Sequence, residues 1–140
     1  MLKSEIQEEI NRLRRQINSY EESKSQAVSE QKELIAVIDK IGKKAAEIDD
    51  GLQQTLSTID LRLSKVNPNS KFPELYRKAA RERLMNSSSS NALAETKEAI
   101  QVGQKKCADY DETIKYYSSL IRHTEYEIAQ LKRQYYEAVE

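Results

Sequence analysis

The chain has 140 residues and a mass of 16.2 kDa, with 23 Lys and Arg against 23 Asp and Glu, one His, one Cys, no Trp, 3 Gly and 2 Pro. So few glycines and prolines cannot punctuate a sandwich, a barrel or a series of strand–helix–strand units, which leaves one nearly all-helical domain, residues 1–140. The balanced charge removes the general basic face used by nucleic-acid binders, and a single cysteine excludes an internal disulfide.

Mean hydropathy is −0.81. No apolar run approaches the roughly 18 residues of a transmembrane helix. Residues 1–15 alternate charge with Ile and Leu and lack the apolar stretch of a secretory leader.

A long helix is predicted over about 4–66. Ile6, Leu13, Tyr20, Ala27, Leu34, Ile41 and Ile48 recur every seventh residue, and Ile10, Ile17, Lys24, Gln31, Ile38, Ala45 and Leu52 follow each by four. This is a heptad seam. Ser4 with Gln7 fits a capping box at its start. Lys24, Ala27 and Gln31 weaken the middle of the seam, where polar residues either set register or mark a soft segment. Beyond Leu52 the apolar positions shift to Leu56, Ile59, Leu63 and Val66, a four-residue stutter that predicts a bend or straightening near Gly51. The turn-forming run Asn67, Pro68, Asn69, Ser70 ends the helix.

A short helix follows over about 73–86, with Pro73 suited to its first turn and Leu75, Tyr76, Ala79, Ala80, Leu84 and Met85 as its apolar face. Residues 86–91, NSSSSN, read as a flexible polar loop whose Asn91 caps the next helix. The third helix is predicted over about 92–138. Its seam is Leu93, Ile100, Cys107, Ile114, Ile121, Ile128 and Tyr135, each followed three residues later by Thr96, Gly103, Tyr110, Tyr117, Thr124, Leu131 and Ala138. None of these positions is charged, in a chain where chance would place about four or five charges among them. The expected fold is an all-α, elongated antiparallel hairpin, coiled-coil-like, closed by the short connecting helix.

Helix length then points to a binding role. At about 1.5 Å per residue the two long helices would span roughly 90 and 70 Å. If both start at the connector, Ile6, Ile10, Leu13 and Ile17 project beyond the second helix. Each large aliphatic side chain gains about 1.5–3 kcal/mol on burial, so this seam is expected to dock against another chain. Ile35 and Val37 lie beside the seam and widen the apolar face beyond what two helices bury, and Tyr116, Tyr126 and Tyr136 fall off it.

Catalysis finds little support. His123 has no constellation around it, Cys107 is a seam residue, and Gly42, Gly51 and Gly103 are isolated within helical pattern, so no enzyme activity, cofactor or metal is expected. Arg77, Lys78, Arg81 and Arg83 form the one basic cluster, a weak indication of nucleic acid or an anionic surface.

With its long N-terminal heptad helix, the connector NPNSKFPELYRKAARERL, the second long helix and the ending YEAVE, the chain resembles the YwqH-like family of small helical proteins encoded beside LXG polymorphic toxins in Gram-positive bacteria. The resemblance implies a WXG-like hairpin that acts as a chaperone-like, non-enzymatic accessory. Its partner would be the helical N-terminal region of an LXG toxin, with or without a second small helical protein, and the route type VII secretion. Tyr136 and Glu140 match the Tyr-x-x-x-Asp/Glu pattern of type VII export signals. The resemblance implies a cytoplasmic protein, either exported with its partner or only escorting it. The sequence differs from WXG-type proteins in having no Trp-x-Gly turn and a far longer connector. The alternatives are a self-assembling structural coiled coil and, more weakly, a nucleic-acid or anionic-surface binder through residues 77–83.

Overall fold

The computed structural model describes residues 2–65 and 71–138. Three helices account for nearly all of them: α1 (Lys3–Leu63), α2 (Phe72–Met85) and α3 (Ser88–Glu137). The fold is an all-α hairpin, two long helices joined through a short one. Both seams are present. None of the paired heptad positions from Ile6 to Leu52 or from Leu93 to Ala138 is exposed. The stutter is also there, with the sheltered positions of α1 running Ile48, Leu52, Leu56, Ile59, Leu63. α1 nevertheless continues unbroken through Gly42 and Gly51.

The ends differ from expectation. The Glu5 carboxylate accepts from the Leu2 N–H at 3.1 Å, so Glu5 closes the first turn as the third residue of the helix. α1 stops at Leu63, where the Ser64 N–H reaches the Asp60 carbonyl and the Lys65 N–H the Arg62 carbonyl. The expected turn at Asn67–Ser70, with Val66, lies outside the described residues. The serine-rich stretch is helix from Ser88 onward and not a loop up to Asn91. Ser87 is its cap, with its Oγ accepting from the Ser90 N–H at 3.2 Å, in place of Asn91.

Contacts divide the chain into two compact units, Met1–Leu34 with Lys105–Glu140 and Ile35–Gln104. In the first unit α1 and the later part of α3 run antiparallel in a constant register. Lys3 Nζ stands 5.3 Å from the Tyr135 ring centre, Tyr20 meets Tyr117 at 6.2 Å, and the Gln31 amide reaches Asp111 Oδ1 at 2.7 Å. Each step forward along α1 is matched by a step back along α3. In the second unit α2 meets α1, with Arg77 Nε 3.0 Å from Asp60 Oδ1.

Candidate protein–protein interface

The N-terminal seam is already covered. Ile6, Ile10 and Leu13 are buried in one cluster with Ile128, and Ile17, Leu131, Tyr135 and Ala138 pack against it. Ile6 is 1% exposed, the most enclosed large side chain in the described residues. The expected projection of Ile6, Ile10, Leu13 and Ile17 beyond the second helix is therefore wrong. Within the first unit the last turns of α3 lie against the first turns of α1, so Ile128, Leu131, Tyr135 and Ala138 supply the cover that helix lengths alone do not reveal.

The soft middle of the seam is a register device. Gln31 Nε2 donates to the Cys107 carbonyl at 3.0 Å and to Asp111 Oδ1, which fixes one longitudinal alignment of α1 on α3. Beside this pair, the Tyr110 hydroxyl donates to the Glu30 carboxylate, which holds the phenol above its ordinary 10.0. Ala27 is buried, where a larger side chain would separate the helices.

The second unit is built differently. Its buried apolar residues are Ala45 and Leu63, and α2 buries none of its own. Of the twelve large hydrophobic side chains exposed among the described residues, eight belong to it: Ile35, Val37, Leu61, Phe72, Leu75, Tyr76, Met85 and Val102. Three of the other four are tyrosines, which keep a hydroxyl in water. Leu75 is 67% and Met85 72% exposed, so each forgoes most of the burial gain of about 1.5–3 kcal/mol. The apolar face expected of α2 is thus divided. Ala80 and Leu84 are half-buried, while Leu75, Tyr76 and Met85 turn outward, with the Phe72 and Tyr76 rings 5.7 Å apart.

Two open grooves follow from this thin packing. One, of about 420 Å³, is lined by Ile59, Tyr76, Ala79, Ala80, Arg83, Leu84 and Ser87. The other, of about 280 Å³, lies between Leu52 and Leu56 of α1 and Leu84 and Met85 of α2, with Asp49 and Arg81 among its lining residues.

The chain matches no protein-family model, no curated protein and no solved structure.

Ile35 and Val37, 45% and 49% exposed, belong to this poorly covered unit. Phe72, Leu61 and Val102 were not singled out from the sequence. Leu61 and Val102 could have been found as apolar residues left over once the stuttered α1 stripe and the α3 seam are assigned. Phe72 carried no such signal, because α2 is too short to define which side faces inward. Tyr136 is 83% exposed beside Tyr135, and Glu140, its proposed companion, lies outside the described residues. His123 sits on the surface with Nε2 3.0 Å from Glu127 Oε1. Cys107 is half-buried in the seam. Arg12 bonds Glu9, three residues back, with Nε to Oε2 at 2.9 Å, and holds that carboxylate below its ordinary range. Among the described residues no group of three His, Cys, Asp or Glu is placed to hold a metal ion, and no helix is long and apolar enough to cross a membrane.

Proposed function

We propose that the chain is a non-enzymatic accessory protein that binds a second helical chain, and that this chain is the helical N-terminal region of an LXG toxin bound for type VII secretion. The observation that supports binding is the surface of residues 35–104, where large apolar side chains stay exposed and the buried ones are Ala45 and Leu63. Wide apolar faces of this kind belong to bundles with more helices than the two or three present here. The identity of the partner rests on the resemblance alone. The N-terminal seam, having its own cover, adds nothing to it.

Co-expression with an LXG leader tests the reading. Changing Ile35→Asp and Val37→Asp together should lower capture of the leader by roughly tenfold or more, while helicity by circular dichroism stays unchanged, because both side chains already face water. Undiminished capture would remove the assignment. Light scattering of the chain alone at micromolar concentration decides the rival reading. A dimer that dissociates on the same double change identifies self-assembly as the use of this surface. For Tyr136 the reading is an export signal. Tyr136→Ala should stop toxin export from the producing cell yet leave co-purification intact, and unchanged export would discard it.

A further inference from the structure

We infer that the groove formed by Ile59 of α1 and Tyr76, Ala79, Ala80 and Arg83 of α2 receives one amphipathic helix of a partner protein, and that this helix brings a carboxylate to Arg83. The groove holds about 420 Å³, and the half-buried residues of its lining are Ile59, Ala80, Leu84 and Ser87. Ala79 and Ala80 are small enough to let a second helix backbone approach α2 closely. Tyr76, paired with Phe72, extends the apolar surface at one end. Arg83 is the one charged residue in the lining and makes no ion pair among the described residues.

That arginine selects the occupant. A helix laid over the groove takes the guanidinium out of water, and the cost of an unpaired desolvated charge is avoided only if the helix carries an acidic residue facing it. A second copy of this chain docking its own α2 would bring another basic segment, Arg77 to Arg83, against the first. The neighbouring groove is a poorer receptor for an acidic helix because its lining carries the acidic Asp49 as well as Arg81. The inference rests on the accessory-partner reading only for which protein supplies the helix.

The test uses the full chain and a fluorescein-labelled designed peptide of about 20 residues, with leucines at i, i+3, i+4 and i+7 and glutamates flanking them, beside a twin whose flanks are lysine. The glutamate peptide should bind the unchanged chain. It should bind Arg83→Glu roughly tenfold more weakly, while the lysine twin should prefer Arg83→Glu over the unchanged chain. Ala79→Leu, at an exposed position, should fill the groove and weaken the glutamate peptide roughly tenfold without loss of helicity. Equal binding of both peptides to the unchanged chain, or indifference to Ala79→Leu, overturns the inference. So does a dimer of the chain that Ala79→Leu dissociates, which gives the groove to a second copy. Binding of single-stranded oligonucleotide or phosphatidylserine vesicles with the same dependence on both residues also overturns it. An LXG leader captured equally by the unchanged and Ala79→Leu chains sinks the groove assignment and leaves the accessory reading standing. A leader that neither captures, while the glutamate peptide still docks, does the reverse.

Discussion

Ile10 and Met85 are both large apolar residues on predicted helical stripes, yet they do opposite things. Ile10 is 2% exposed inside the cluster around Ile128, so Ile10→Ala should cost about 2–5 kcal/mol in urea unfolding. Met85→Ser should stay within about 0.5 kcal/mol. Gln31 is the residue whose polarity looked like a weakness in a heptad and is instead a cross-helix lock. Gln31→Ala removes two hydrogen bonds and should cost about 1–2 kcal/mol, with faster hydrogen exchange around residues 27–34. Tyr110 gives the chain an alkaline limb. Its folded value lies above the ordinary 10.0 because Glu30 accepts from the neutral hydroxyl. The stabilisation is therefore complete below the ordinary value and lost as pH rises through the folded one. Tyr110→Phe should flatten the fall in stability above about pH 10. Glu9 runs the other way. Arg12 lowers it, so its contribution is present above the ordinary carboxylate range and disappears as pH falls through the folded value.

At the scale of the helices, caps and glycines make separate predictions. Ser87→Ala should cost about 1 kcal/mol and fray the first turn of α3, a loss visible in amide exchange at residues 88–91. A Cβ at Gly51 would meet nothing within 4 Å, so Gly51→Ala should stabilise α1 by about 0.5–1 kcal/mol in thermal unfolding. If it instead destabilised, a conformational need at the stutter would be indicated. Helix existence was legible because uncharged positions recur over many turns, a signal that local noise cannot mimic in a chain one-third charged. The cap of α3 was not legible, because any of the residues from Asn86 to Asn91 is a good N-cap by type, and only the turn that lets the Ser87 hydroxyl donate to the Leu84 carbonyl and accept from the Ser90 N–H selects one. The placement of α2 was hidden for a related reason. Its 14 residues carry apolar groups on more than one side, and its contact with α1 through the exposed Arg77–Asp60 pair has no motif in the sequence.

For the molecule as a whole, the candidate site was legible in kind and misplaced in position. The excess of apolar surface over what two helices can hide was visible at Ile35 and Val37. It was wrongly extended to Ile6, Ile10, Leu13 and Ile17, because their cover lies more than a hundred residues away in sequence. The two units should consequently differ in exchange behaviour. Amides of residues 35–104 should exchange faster than those of 2–34 and 105–138, since Ala45 and Leu63 are the apolar residues buried there. Addition of a bound partner should slow exchange chiefly within 35–104, and uniform slowing would argue against a docking surface confined to that unit.

The distribution of tyrosines turns this division into an optical asymmetry. With no tryptophan to mask them and a single weakly absorbing phenylalanine, eight tyrosines dominate the near-ultraviolet signal, and every one but Tyr76 belongs to the unit that contains Tyr20, Tyr117 and Tyr135. A melting curve followed by phenol fluorescence or aromatic dichroism would report almost entirely on that unit. The same sample followed by peptide absorption near 222 nm would report on all helices, and a gap between the two curves would measure how independently the greasier half lets go.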